Sequence, residues 1–253
     1  MSDYPANIVP VDHVEPVPRR IRAVLAGRTV LDTTRAVYVW EVPYFPQFYV
    51  PLADVQPGVL VDEDVKQDSS RGAVAVHGLR VGDTYRQRAA KVLRDSSIDR
   101  LTDTVRFDFK ALDAWYEEDE RIFVHPRSPY ARVDCVRSSR RIRVELDGVV
   151  LAESAAPVML FETGLPTRYY LNRTDLAFEH LEPSDTRTSC PYKGTTSAYW
   201  SANIGDRTVA DVAWSYDFPT REVLPIAGLV AFYNERVDIF VDDVQLEKPR
   251  TQF

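Results

Sequence analysis

The sequence of this 253-residue chain predicts an all-β fold in two tandem copies. Three observations carry that expectation: an ungapped internal repeat, strand-like alternation in most apolar stretches, and tight-turn dipeptides between them. The stretch from Arg19 to Val55 recurs from Arg140 to Leu176 at a constant shift of 121 residues. Ten pairs are identical: Arg19/Arg140, Arg20/Arg141, Ile21/Ile142, Arg22/Arg143, Leu25/Leu146, Gly27/Gly148, Val37/Val158, Glu41/Glu162, Tyr49/Tyr170 and Asp54/Asp175. Chance would give roughly two or three at average residue usage.

Each copy opens on a hairpin. From Arg141, R-I-R-V-E-L-D-G-V-V-L-A-E-S alternates with period two on either side of Asp147-Gly148, a pair that closes tight turns, and R-I-R-A-V-L-A-G-R-T-V-L-D is its twin. Next come V-M-L-F-E and R-Y-Y-L, matched by V-Y-V-W-E and Q-F-Y-V, all rich in β-branched and aromatic residues. The second copy continues with A-Y-W-S-A-N-I, a Gly205-Asp206 turn, R-T-V-A-D-V-A-W-S-Y, L-V-A-F-Y and V-D-I-F-V. Gly82-Asp83, Val105, Phe107 and Asp113 preserve traces of it in the first. The shift grows to 125 by Val230, so the second copy gained residues in its middle. Helix is expected only at R-E-V-L-P-I-A-G (221–228), shortened by Pro225, and at L-D-A-W-Y-E-E-D-E (112–120). The expected layout is an extended arm over 1–18, a first domain over 19–125, a linker over 126–139 and a second domain over 140–253. The two domains are expected to pack with pseudo-two-fold symmetry.

Composition narrows the function. Apolar and aromatic residues make up 45% and charged residues 27%, as in a globular protein. The net charge of -7 opposes a duplex nucleic-acid binder, which needs a continuous cationic face. The basic run Arg137 to Arg143 alternates with apolar residues at a strand opening and reads as a solvated face, with a phosphate-contacting patch as the alternative. No apolar run reaches the roughly 18 residues of a membrane helix, and no secretory signal opens the chain, so a cytoplasmic location is expected. Cys135 and Cys190 stand at non-equivalent positions without C-x-x-C spacing, and the four histidines form no ligand pattern; no metal and no cofactor is expected.

Chemistry concentrates in the second copy, in E-T-G-L-P-T-R-Y-Y (162–170), L-E-P-S-D-T-R-T-S-C-P-Y-K-G (181–194), S-A-Y-W-S and A-W-S-Y-D. Strand-borne Glu162, Tyr170, Trp200 and Trp214 are expected to line one face, with the loop 183–194 folded across it. Cys190 has Lys193 three residues on, and a nearby cation favours the thiolate; the competing reading is a small buried hydrophobe. Lys193 suits either an anion or a plain surface charge, with Gly194 favouring a loop whose backbone can approach a ligand. Glu162, shared by both copies, suits either pairing with the strand-opening arginines or service as a base or ligand anchor. Trp200 and Trp214 suit an aromatic wall or plain core.

These motifs, E-T-G-x-P-x-x-Y-Y, E-P-S-D-T-R-T-x-C-P-Y-K-G, Y-W-S, A-W-S-Y and I-A-G-x-V-A-F-Y, resemble the bacterial domain-of-unknown-function family numbered 427. D-A-W-Y-E-E-D-E-R-I-F-V-H-P-R in the first copy is similar to the N-terminal copy of its two-domain members. The resemblance implies two tandem β-tent-like domains, each of small antiparallel sheets pinned at one edge. It also marks Glu162, Tyr170, Asp185, Thr186, Cys190, Tyr192, Lys193, Gly194, Trp200 and Trp214 as recurrent. Zinc-bearing relatives of that architecture use paired C-x-x-C turns, which are absent here, as are the glycine-serine motif and paired aspartates behind the family's nucleotidyltransferase-like label. Some β-tent modules hold ligands in aromatic cages.

The expectation is therefore a small-molecule-binding protein with one polar and aromatic pocket in the second domain, catalytic or not. Tyr170, Thr186, Arg187, Tyr192, Lys193, Gly194, Trp200 and Trp214 would bind the ligand. The alternatives are an enzyme with Cys190 as nucleophile and Glu162 or Asp185 as base, a nucleotidyltransferase-like activity, or a non-catalytic interaction scaffold. The first copy, V-D-E-D-V-K-Q-D-S-S-R-G in the equivalent stretch, is expected to have no site, and the chain to be a monomer or homodimer.

Overall fold

The computed structural model of the chain describes residues 9–98 and 100–251, so residues 1–8 of the expected arm lie outside the described residues. Two compact units part between Ser128 and Pro129. The first contains β1 (Val14–Pro16), β2 (Ile21–Leu25), β3 (Arg28–Thr33), β4 (Val37–Val42), β5 (Phe45–Pro51), β6 (Leu60–Ser69), β7 (Gly72–Val81), β8 (Thr84–Leu93), β9 (Thr104–Phe107), β10 (Ala114–Glu117) and β11 (Glu120–Ile122). The second contains β12 (Val133–Arg137), β13 (Ile142–Leu146), β14 (Val149–Ser154), β15 (Val158–Glu162), β16 (Arg168–Leu171), β17 (Leu181–Ser184), β18 (Ser189–Cys190), β19 (Gly194–Thr195), β20 (Ala198–Ile204), β21 (Arg207–Ser215), β22 (Val230–Phe232), β23 (Asp238–Val241) and β24 (Val244–Gln245). No helix among the described residues is long and apolar enough to cross a membrane.

Duplication governs the topology. The large sheet of the first unit runs β1-β4-β5-β9-β8-β7-β6, and that of the second repeats it strand for strand as β12-β15-β16-β22-β21-β20-β17. The small sheets correspond likewise, β3-β2-β10-β11 and β14-β13-β23-β24. Even the isolated bridges coincide, Leu31 with Val55 and Ala152 with Leu176. The all-β, two-domain expectation thus holds.

Four local expectations do not. The arm supplies β1, paired with β4, and buries Val9 and Val17 in the first core. The linker supplies β12, which pairs along the whole of β15; both were masked in sequence by flanking prolines and charges. L-D-A-W-Y-E-E-D-E forms the β10–β11 hairpin, because buried Trp115 and Glu117 alternate with half-buried Ala114 and Tyr116 and the Trp115 indole donates to the Phe109 carbonyl at 3.1 Å. At 221–228 a 3-10 helix, Arg221–Ile226, replaces the expected α-helix, kinked at Val223 just before Pro225.

In the second unit the large sheet has two distinct faces, because successive side chains on a strand point to opposite sides. One carries Met159, Tyr169, Leu171, Trp200, Ala213, Val230 and Phe232 and packs on Ile142, Val144, Ile239 and Val241 of the small sheet. This is the main core, where each fully buried large side chain contributes roughly 1.5–3 kcal/mol. The opposite face carries Val158, Leu160, Tyr170, Tyr199, Trp214, Tyr216 and Ala231, covered by Val223 and Ile226 of the 3-10 helix. Polar chemistry gathers on this second face.

Candidate functional site

Glu162 ends β15, and Tyr170, two strands' width of backbone away in sequence, stands on β16 opposite Val158. Across the sheet the register continues through Ala231 and Trp214 to Tyr199, so Tyr170, Trp214 and Tyr199 share one face. The Trp214 indole Nε1 donates to the Tyr170 hydroxyl at 3.3 Å, with the rings nearly perpendicular. Trp214 also lies 4.3 Å from the Tyr233 ring, and the Arg168 guanidinium sits 5.7 Å from the one ring and 5.6 Å from the other. Two hydrogen bonds from Arg168 to Glu235 hold that cation in place.

The loop 183–194 reaches back over this face through the short β18–β19 hairpin, where Cys190 pairs with Gly194. Its turn is Pro191-Tyr192-Lys193, and Gly194 adopts φ +91°, which a side chain would resist. Thr220 clamps the turn: its hydroxyl donates to the Tyr192 carbonyl at 2.7 Å and its amide to the Lys193 carbonyl at 3.2 Å. So anchored, Lys193 Nζ donates to Glu162 Oε2 in an ion pair whose side chains are only 11% and 8% exposed.

Burial works against the Lys193 charge, but Cys190, Glu162 and Tyr170 together outweigh it and hold the ammonium above the ordinary lysine range. Burial pushes the Tyr170 phenol well up, Lys193 only partly offsetting it. The same cause, reinforced by Tyr170 and Cys190, raises Tyr216. The Cys135 thiol on β12 is also raised by burial, against the pull of Lys193. A buried cation therefore stands among a carboxylate, a thiol and phenols.

The structure brings together Glu162, Tyr170, Cys190, Lys193, Gly194 and Trp214. It does not bring Trp200, which faces the main core on the other side of the sheet, with Phe178 and Arg173 against it. Asp185 is exposed. Thr186 donates to Asp211 Oδ2 at 2.7 Å, where Ser184 donates to Oδ1 at 2.5 Å, so both tether the loop. Arg187 folds onto the Thr186 carbonyl at 2.7 Å and stays in solvent. Nor does Glu162 pair with the strand-opening arginines, which meet nearer carboxylates: Arg20 on Asp32, Arg140 on Asp242, Arg141 on Asp243.

Sequence reasoning missed Tyr199 and Tyr216, although alternation from Trp214 would have found Tyr216 two residues on. Thr188, Tyr199 and Tyr233 form a hydroxyl chain with spacings of 2.8 and 3.2 Å. It also missed a counterpart in the first unit. There the hairpin tip reads Ser69-Ser70-Arg71-Gly72, Ser69 pairing with Gly72 as Cys190 pairs with Gly194. Arg71 thus precedes a left-handed glycine, as Lys193 does, and acts electrostatically on Tyr49 and Glu41, the equivalents of Tyr170 and Glu162. The partners differ. Tyr49 donates to Glu41 at 2.7 Å, Arg106 approaches Glu41 at 3.5 Å, and Arg71 pairs with Asp12. The first unit thus carries a related polar cluster with serine in place of cysteine.

The family described as a domain of unknown function, DUF427, matches the chain over residues 13–118 and again over 134–243. Comparison with curated proteins gives no match.

Proposed function

Since the chain belongs to the DUF427 family, both of its units being matched, we propose that the second unit is a small-molecule-binding module whose polar centre is Glu162, Lys193 and Cys190. The observation that carries this reading is the Lys193–Glu162 pair itself, set into an otherwise aromatic and aliphatic face. Such a pair costs several kcal/mol of desolvation per ion and is a poor stabilising device compared with apolar packing of the same volume. A carboxylate acceptor beside an ammonium donor fits a ligand with an adjacent N–H and C=O, an amide or cyclic amide. The ligand N–H would meet Glu162 and its carbonyl Lys193. Trp200 and Arg187 have no part in it. The first unit, its arginine tied to Asp12, serves a structural role at the equivalent cluster. A reducing, cytoplasmic setting suits the two free cysteines.

A second reading, acyl transfer through Cys190, draws on the proximity of Lys193. It requires Cys190 to be alkylated by iodoacetamide faster than a free thiol, and an equal or slower rate removes it.

Thermal-shift screening of the intact chain against cyclic amides, acyl compounds and nucleotides tests the binding proposal. A ligand at 100 times its Kd adds about 2.7 kcal/mol of stability. Cyclic amides are expected to raise Tm in the wild type and not in Glu162→Gln. The reading fails if no amide stabilises the wild type or if the variant responds equally.

A further inference from the structure

We propose that the first unit carries a separate binding site for a phosphate monoester, in the cleft between the start of β3, the segment 56–59 and the end of β7. The cleft has a volume of about 390 Å³, and Arg28, Val30, Val59, Arg80 and Val81 are among the residues that line it. That is within the size range of small-ligand sites.

Its charge is the decisive feature. Two arginines and no acidic residue line it, in a chain whose net charge is -7. Other arginines of the unit, among them Arg20, Arg22, Arg35, Arg71 and Arg106, have carboxylate partners, whereas Arg28 and Arg80 have none among the described residues. The Arg80 guanidinium instead lies 4.9 Å from the Tyr85 ring, a cation–π contact. Two arginines at one cleft with no acidic residue beside them favour an anion there. A phosphate monoester carries about -1.5 to -2 at neutral pH and three acceptor oxygens, which matches two planar donor forks better than a single carboxylate does. The walls Val30, Val59 and Val81 are buried and apolar, so they would meet the organic part of the ester.

The duplication supplies the control. Arg28 corresponds to Val149 by the constant shift of the repeat, and Arg80 to Asn203 by pairing register, since Leu60 opposes Leu79 as Leu181 opposes Ala202. The place of Gly58 is taken by Glu179, and Asn203 bonds to Glu182. The second unit therefore lacks both cations at this place, and the inference concerns the first unit alone, independent of the proposal for Glu162 and Lys193.

Titration of the isotopically labelled full chain with phenyl phosphate, inorganic phosphate and phenol, followed by amide NMR, tests this. Phenyl phosphate is expected to move the Gly58 and Gly82 resonances saturably, at least tenfold more tightly than inorganic phosphate or phenol, and to leave Gly205 still. Arg28→Gln with Arg80→Gln should weaken binding at least tenfold; both side chains are exposed, so an unchanged Tm reports an intact fold. The proposal is overturned if shifts never saturate, if the double variant binds as well as the wild type, or if inorganic phosphate binds as tightly as the ester.

Discussion

Lys193 and Arg71 occupy the same station in their two units: each is the last residue before a left-handed glycine at a hairpin tip, and each interacts with a tyrosine and a glutamate fixed by the repeat. They are paired differently. Lys193 meets Glu162 directly, whereas Arg71 meets Asp12 and leaves Glu41 to Tyr49 and Arg106. The second unit has thus concentrated its charge pair beside a thiol, and the first has spread its charges over four side chains.

Lys193→Met leaves the Glu162 carboxylate buried without its cation and should destabilise the chain by about 3–5 kcal/mol in urea unfolding. Adding Glu162→Leu should recover most of that loss. If the double variant is as unstable as the single one, the cost lies in packing of the loop and not in the stranded charge.

The alkaline limb of stability should report the same ion. Because the folded-state pKa of Lys193 is raised, its contribution is complete below the unfolded lysine value, about 10.4, and is lost as pH rises from there toward the folded value. Unfolding free energy measured from pH 8 to 11.5 should fall more steeply for the wild type than for Lys193→Met. Parallel slopes would contradict the raised value.

Asp211 ties the loop down by accepting from Ser184 and Thr186, and the Ser184 bond first, then Thr186, lowers its pKa against the effect of burial. Its stabilising contribution is present above the unfolded aspartate value, about 3.9, and is lost as pH falls below it. Asp211 has φ +51°, a conformation asparagine also tolerates, so Asp211→Asn tests the carboxylate with little backbone change. A loss of about 1–2 kcal/mol at pH 7, shrinking as pH falls below about 3.9, is expected.

Cys135 should be the slow thiol. Burial raises its pKa, so in a Cys190→Ser background its iodoacetamide rate at pH 7.5 should fall below that of glutathione and climb with pH. A rate equal to glutathione would mean that β12 exposes the sulfur.

Much of the fold was legible because a duplicated sequence reports itself: the Arg-Ile-Arg hairpins, the Asp147-Gly148 turn and the Tyr170 strand all lie where the repeat places them. β1 and β12 were not, since edge strands gain their structure from a neighbour's backbone and need little apolar patterning of their own. Within the site, Glu162, Cys190 and Lys193 were legible as a cluster, but the two tryptophans were paired wrongly. Trp200 opposes Ala213 and Trp214 opposes Tyr199, so the alternation of one strand separates them to opposite faces. Arg71 was hidden by a single inserted residue, Ser-Ser-Arg-Gly against Cys-Pro-Tyr-Lys-Gly, which breaks the ungapped alignment where it matters.

The most direct test of the site is amide NMR mapping of whichever cyclic amide stabilises the chain most. The account predicts that Glu162, Cys190 and Lys193 shift together with one apparent Kd, and that Glu162→Gln abolishes the response. Saturable shifts that spare all three residues, with binding unchanged in Glu162→Gln, would contradict it.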